Sequence, residues 1–95
     1  MKVIWSEEAV TDYHQNIDYL LREWSEQVAM EFIEDVQAVV DLIKNHPALY
    51  PLTGYKGVRK AVIRKQITLF FKADNDEVHL IRFWNNYQDI GRLKL

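Results

Sequence analysis

The chain has 95 residues, 48% of them apolar, 13% aromatic and 27% charged, and it contains no cysteine. That length builds one core and predicts a single domain over residues 1–95, which excludes large cofactor-binding folds; the lack of cysteine excludes disulfide frameworks, thiolate zinc sites and thiol nucleophiles. The net charge of −2 divides into −7 over residues 1–54, where three Lys/Arg face ten Asp/Glu, and +5 over residues 55–95, where nine face four. Such asymmetry predicts that the second half meets something anionic while the first half faces water.

Val3-Ile4-Trp5 is a short apolar run ending at Ser6, which reads as a strand followed by a helix N-cap, with Glu7 and Glu8 at the positive helix end. Two acids stand where a signal peptide needs its apolar core, and no stretch reaches transmembrane length, so a cytoplasmic protein without membrane contact is expected. Ala9, Val10, Tyr13, Ile17, Leu20, Leu21 and Trp24 recur at spacings of three and four, with Glu8, Asp12, Gln15, Asp18 and Glu23 off the stripe; this predicts an amphipathic helix over residues 7–23. Ser25 is a second N-cap, and Val28, Ala29, Phe32, Ile33, Val36, Val39, Val40 and Ile43 repeat the period as far as Asn45-His46-Pro47. So short a connection makes the two helices an antiparallel hairpin with one common apolar face to be covered.

Residues 46–57, with Pro47, Pro51, Gly54 and Gly57, read as an irregular crossing. Residues 58–64, 67–73 and 78–84 are β-branched or aromatic runs and predict a three-stranded meander. Its second turn, Asp74-Asn75-Asp76-Glu77, has turn chemistry; Lys65-Gln66 lacks the Gly or Asn of a tight hairpin, so the register there is loosely specified. Alternation assigns Val62, Leu69, Phe71 and Leu80 to the helix-covered face, and Arg59, Arg64, Thr68, Phe70, Lys72 and His79 to an open face available to a partner. The fold class is α+β: a short N-terminal strand and an antiparallel helical hairpin packed on an antiparallel sheet with a C-terminal three-stranded meander.

The only serines, Ser6 and Ser25, sit at helix starts and act as caps, which excludes a serine hydrolase. His14 and Asp18 lie four apart on a helix without a third ligand and read as a surface pair, so neither metal nor cofactor is assigned. His46 falls at a helix end, and His79, mid-strand, reads as a packed or exposed ring before it reads as a general base. The three glycines, Gly54, Gly57 and Gly91, open no helix, so there is no phosphate loop. What remains is Lys56, Arg59, Lys60, Arg64, Lys65, Lys72 and Arg82, interleaved with Tyr55, Phe70, Phe83, Trp84 and Tyr87. Cations bind phosphates and rings stack on bases, so the set permits nucleic-acid contact; a solvated cationic edge that deters sheet aggregation accounts for the same residues. Phe83 and Trp84 are assigned to the core.

Taken in order, Ile4-Trp5-Ser6-Glu7-Glu8-Ala9 with Asp12, Trp24-Ser25 before Ala29 and Phe32, Asn45-His46-Pro47, Val58-Arg59, and Ile81-Arg82-Phe83-Trp84-Asn85-Asn86-Tyr87-Gln88-Asp89 resemble the RelE/ParE superfamily of bacterial type II toxins, also labelled plasmid-stabilisation proteins. The closing segment looks most like the ParE-like branch. The resemblance implies a toxin neutralised by a cognate antitoxin in a toxin–antitoxin hetero-oligomer, acting on DNA gyrase and replication without being an enzyme. Its alternatives are a ribosome-dependent mRNA interferase of the RelE-like endoribonuclease type and a non-toxic antitoxin-binding module. Arg59, Arg64, Arg82 and Tyr87 are the candidate catalytic residues of the nuclease reading, which uses charge to stabilise a strained phosphate. Arg59, Lys60, Arg64, Lys72, Arg82, Asn85 and Tyr87 are the candidate contacts to antitoxin or target. Asn85 stands where a histidine is frequent in the nucleases, and an amide cannot serve as a general base at neutral pH.

Overall fold

In the computed structural model, which describes residues 1–87 and 90–95, the chain runs β1 (Lys2–Trp5), α1 (Glu7–Glu23), α2 (Glu26–Asn45), β2 (Arg59–Arg64), β3 (Ile67–Asp74) and β4 (Glu77–Asn85). Gln88 and Asp89 of the closing motif lie outside the described residues. Both serine caps are formed: Ser6 Oγ accepts the Ala9 N–H at 2.9 Å, and Ser25 Oγ accepts that of Val28 at 3.2 Å. Ser6 also donates to the Ile81 carbonyl at 2.8 Å, which fastens the β1–α1 corner to β4.

The sheet order is β1-β4-β3-β2. The meander β2-β3-β4 is antiparallel, while β1 adds beside β4 in parallel, so the four-stranded sheet is mixed. A parallel neighbour requires a crossover, and the helical hairpin begins that return. Between β3 and β4, Asn75 and Asp76 take φ of 44° and 64°, the two left-handed positions of a two-residue type I′ turn. The Lys65-Gln66 turn uses no positive φ, and the ladder instead absorbs a bulge between Val62 and Arg64.

That bulge corrects the expected face of β2. Leu69, Phe71 and Leu80 are fully buried as expected, but Val62 is 64% exposed. Val62 sits opposite Thr68, and Ala61 opposite Leu69, so Ala61 and Ile63 supply the inward side chains. They join Leu20, Phe32, Ile43, Val78 and Phe83 in the layer between helices and sheet, where each large side chain stabilises the fold by about 1.5–3 kcal/mol. Phe83 and Trp84 are both buried, on opposite sheet faces. Trp84 joins Val58 and Phe70 in a smaller outer cluster against which Ile81, Leu93 and Leu95 pack, so part of the face expected to be open is closed by the chain's own C-terminal residues.

The stripe of α1 needs a second correction. Its buried residues are Ala9, Asp12, Asn16 and Leu20, while Val10, Leu21 and Trp24 are exposed. Asp12, expected to face water, lies on the inward face because β4 supplies its hydrogen-bond partners. Among the described residues, no helix is long and apolar enough to cross a membrane.

Candidate functional site

Where the end of the helical hairpin meets the β2–β3 turn and the end of β4, the surface opens into a groove of about 550 Å³. Tyr19 and Trp24 come from the end of α1 and Val28 and Asp35 from α2; Arg64, Lys65 and Gln66 form the turn side, with Asn85 and Tyr87 closing the end. The sequence that shapes it is local. Asn85 Oδ1 accepts the Tyr87 N–H at 2.9 Å and turns the chain out of β4, leaving Tyr87 81% exposed. Asn86 then ties this end to the neighbouring strands: its N–H donates to the Gln66 carbonyl at 2.6 Å, and its Oδ1 accepts the Thr68 hydroxyl at 3.1 Å.

Arg64 enters the groove from β2 but is not free. Its Nη1 donates to Asp35 Oδ2 at 3.1 Å, and its Nη2 lies 3.8 Å from Glu31 Oε1, both on α2. Arg82 lies in an adjoining recess of about 130 Å³ that shares Tyr19 and Asn85 with the groove. There the Asp12 carboxylate takes a forked pair of bonds, 2.7 Å from Arg82 Nε and 3.0 Å from Nη2, and a third from the Phe83 N–H at 3.0 Å. The hydrogen bond to Asp12 raises the Arg82 pKa above its ordinary value; burial opposes the shift, and Coulombic attraction from Asp12 and Glu8 adds to it. Bidentate carboxylate–guanidinium geometry fixes orientation as well as charge.

The remaining candidates lie elsewhere. Arg59, expected on the outer face, sits opposite core Phe71 and donates through Nη1 to the Tyr50 carbonyl at 2.6 Å. Arg64 likewise belongs to the helix side through its contacts with α2. Lys60 is exposed on the edge strand β2, and Lys72 faces outward opposite His79. The structure therefore brings Arg64, Asn85 and Tyr87 together, sets Arg82 next to them, and separates Arg59, Lys60 and Lys72. His14 packs against the Tyr13 ring, and no ion pair joins it to Asp18 among the described residues.

The charge division also takes a different meaning. The basic strands and acidic helices face one another across the seam through Arg82–Asp12 and Arg64–Asp35, so part of each half's charge is answered inside the fold rather than by a partner or by water. Two contributors were absent from the candidate set. Asp12 was readable from its spacing to Ala9, Asn16 and Leu20, which puts an acid on the buried helix face. Trp24, 66% exposed at the groove, ended an apolar stripe and gave no signal that it would stand outside the core.

Residues 3–90 match the family described as the ParE toxin of type II toxin–antitoxin systems, parDE. No curated protein sequence matches the chain. Among solved structures, the chain is similar to one of the chromosomal ParDE toxin–antitoxin system from P. aeruginosa, with a TM-score of 0.77 and 16% identity over 90% of this chain and 95% of that one. It is similar also to a YoeB/ParE toxin from Agrobacterium tumefaciens, at 0.66 and 16% over 90% and 98% of the two chains. A third similar structure is the DinJ–YafQ complex from E. coli, at 0.60 and 17% over 90% and 93%. At these identities the structural likeness establishes the shared fold.

Proposed function

We propose a target for this chain on the premise that it belongs to the ParE toxin family of type II toxin–antitoxin systems, as the match over residues 3–90 establishes. The toxin arrests growth through a protein–protein contact with DNA gyrase, in the cytoplasm, and is held inactive by a cognate antitoxin that covers the groove. The observation that carries this reading is the commitment of Arg64 and Arg82 to carboxylates of α2 and α1. Cleavage of RNA without a metal relies on cationic donors aimed at the charge that develops on phosphate; Arg82, forked onto Asp12, supplies little of it, and Arg64 is drawn toward α2 by its bond to Asp35. Arg59, engaged with the Tyr50 carbonyl, lies outside the groove. What the groove presents to solvent is aromatic, with Tyr19, Trp24 and Tyr87 all exposed, and such rings anchor protein interfaces.

A specific observation favours the second reading, an mRNA interferase: the Tyr87 phenol and Lys65 line the same groove, pairing a proton-transfer group with a cation. Induced expression without the antitoxin, followed by pulse incorporation of labelled thymidine and methionine, separates the two. The gyrase reading expects thymidine incorporation to fall first, growth to return on antitoxin co-expression, purified toxin to inhibit supercoiling of relaxed plasmid, and message on programmed ribosomes to stay intact. An early fall in methionine with cleaved message, abolished by Tyr87→Phe, overturns it. If neither label falls, the chain is an antitoxin-binding module without toxicity.

A further inference from the structure

At the far end of the β3–β4 hairpin from the groove, three metal-ligating side chains converge. Asp74 and Glu77 are the last cross-strand pair before the Asn75-Asp76 turn, and His79 follows Glu77 by two residues on the same face. His79 Nε2 lies 3.3 Å from Glu77 Oε1 and 4.0 Å from Asp74 Oδ1, and one ligand atom from each residue falls within 4.8 Å of the others. We propose that this trio is a surface site for a borderline divalent cation of the Zn²⁺ class, a property separate from the toxin reading and independent of its outcome.

Three features of the placement support it. Like charges directly opposite on neighbouring strands destabilise a hairpin, and a cation between Asp74 and Glu77 turns that repulsion into attraction. Second, the donors are preorganised. All three residues are in strand positions whose register is set by the type I′ turn, so a cation does not have to order a loop. Third, the imidazole selects the class of ion: nitrogen with two carboxylates suits Zn²⁺ and its neighbours, whereas Ca²⁺ requires six to eight oxygens. Donors around tetrahedral Zn²⁺ stand roughly 3.3 Å apart, so the His79–Glu77 spacing already fits, while the Asp74 carboxylate, 4.0 Å from His79 and within 4.8 Å of the Glu77 donor, has to close by up to about 1.5 Å, a side-chain rotation. With three protein donors, the ion keeps an open position for water or for a group on another molecule. The cations that oppose it are Lys72, opposite His79, and Lys2, beside Glu77; neither forms an ion pair with the trio among the described residues.

The test is calorimetric titration of Zn²⁺ into the chelator-treated full chain at neutral pH, with Ca²⁺ as contrast and far-UV circular dichroism to verify folding. Saturable one-to-one Zn²⁺ binding is expected, weakened at least about tenfold by His79→Gln and by Asp74→Asn, with Ca²⁺ far weaker. The substituted residues are half-exposed, so both variants keep the fold. Absence of saturable heat, binding unchanged in His79→Gln, which would place the ion at His14 or His46, or equal affinity for Ca²⁺ each overturns the proposal.

Discussion

Replacing Asp12 by alanine removes three hydrogen bonds at once from the seam between α1 and β4, those from Arg82 Nε, Arg82 Nη2 and the Phe83 N–H. Taking one partner from a fully buried ion pair costs about 3–5 kcal/mol. Here the Asp12 side chain is 10% exposed and that of Arg82 20%, so the stranded guanidinium recovers some hydration and the ion-pair component falls to about 2–3 kcal/mol. The Phe83 amide, on a buried residue, adds about 1–3 kcal/mol if nothing replaces the carboxylate. The expected loss is therefore about 3–6 kcal/mol, a large fraction of the total stability of roughly 5–14 kcal/mol usual for a chain of this length.

The assay is urea unfolding at neutral pH followed by tryptophan fluorescence, where the midpoint should drop without a change in slope, and the melting temperature should fall by roughly 12 °C or more. A cycle with Arg82→Ala should return a coupling energy of about 1–3 kcal/mol between the two positions. Should Asp12→Ala cost less than about 0.5 kcal/mol, or the coupling vanish, Arg82 would be available for other work. Its guanidinium could then stabilise charge on a phosphate, as RNA cleavage requires.

Ser6 and Ser25 both cap helices, but only Ser6 also donates across the fold to Ile81, so Ser6→Ala should cost about 1.5–2 kcal/mol and Ser25→Ala about 0.5–1 kcal/mol by denaturant titration. Burial raises the Tyr13 phenol above its ordinary 10.0, so the folded state keeps a proton that the unfolded chain gives up. The associated stability is whole below about pH 10 and is lost as pH climbs through the folded value. Tyr13→Phe keeps the ring contacts with Trp5, Phe32 and Phe83, and should flatten the alkaline decline measured above roughly pH 10.

The parts of this fold that were legible in the sequence are those fixed within a few residues. Helix starts at Ser6 and Ser25, the stop at His46-Pro47 and the Asn75-Asp76 turn all follow from local chemistry, and the elements lie where periodicity put them. Val62 was misplaced because its face depends on a bulge one residue away that no composition signal marks; period-two alternation flips with a single inserted residue. Asp12 was misplaced for the opposite reason. Its spacing was right for the buried face, but a carboxylate there makes sense only with Arg82 in view, seventy positions along the chain. The groove followed the same rule: Arg64, Asn85 and Tyr87 were nameable by type, whereas their meeting with Tyr19 and Trp24 is a product of tertiary packing.

The charge division shows how a sequence-level signal changes sign of meaning on folding. An acidic half and a basic half in one chain suggest a partner only when the halves do not face each other. Here the acids lie mainly on the helices, and Arg64 of β2 and Arg82 of β4 reach them, so these opposing charges tie the hairpin to the sheet at two points. Lysine, by contrast, is left outside, with Lys60 exposed on the edge strand and Lys65 at the mouth of the groove. Arginine suits the first task because its planar fork locks onto a carboxylate, and lysine suits the second because a hydrated point charge on a flexible stem keeps an exposed strand edge from pairing with another copy. A partner reaching the groove therefore meets the aromatic rings of Tyr19, Trp24 and Tyr87 with the Lys65 ammonium beside them. That surface rewards a protein segment offering apolar anchors and occasional carboxylates more than it rewards a regular phosphate backbone.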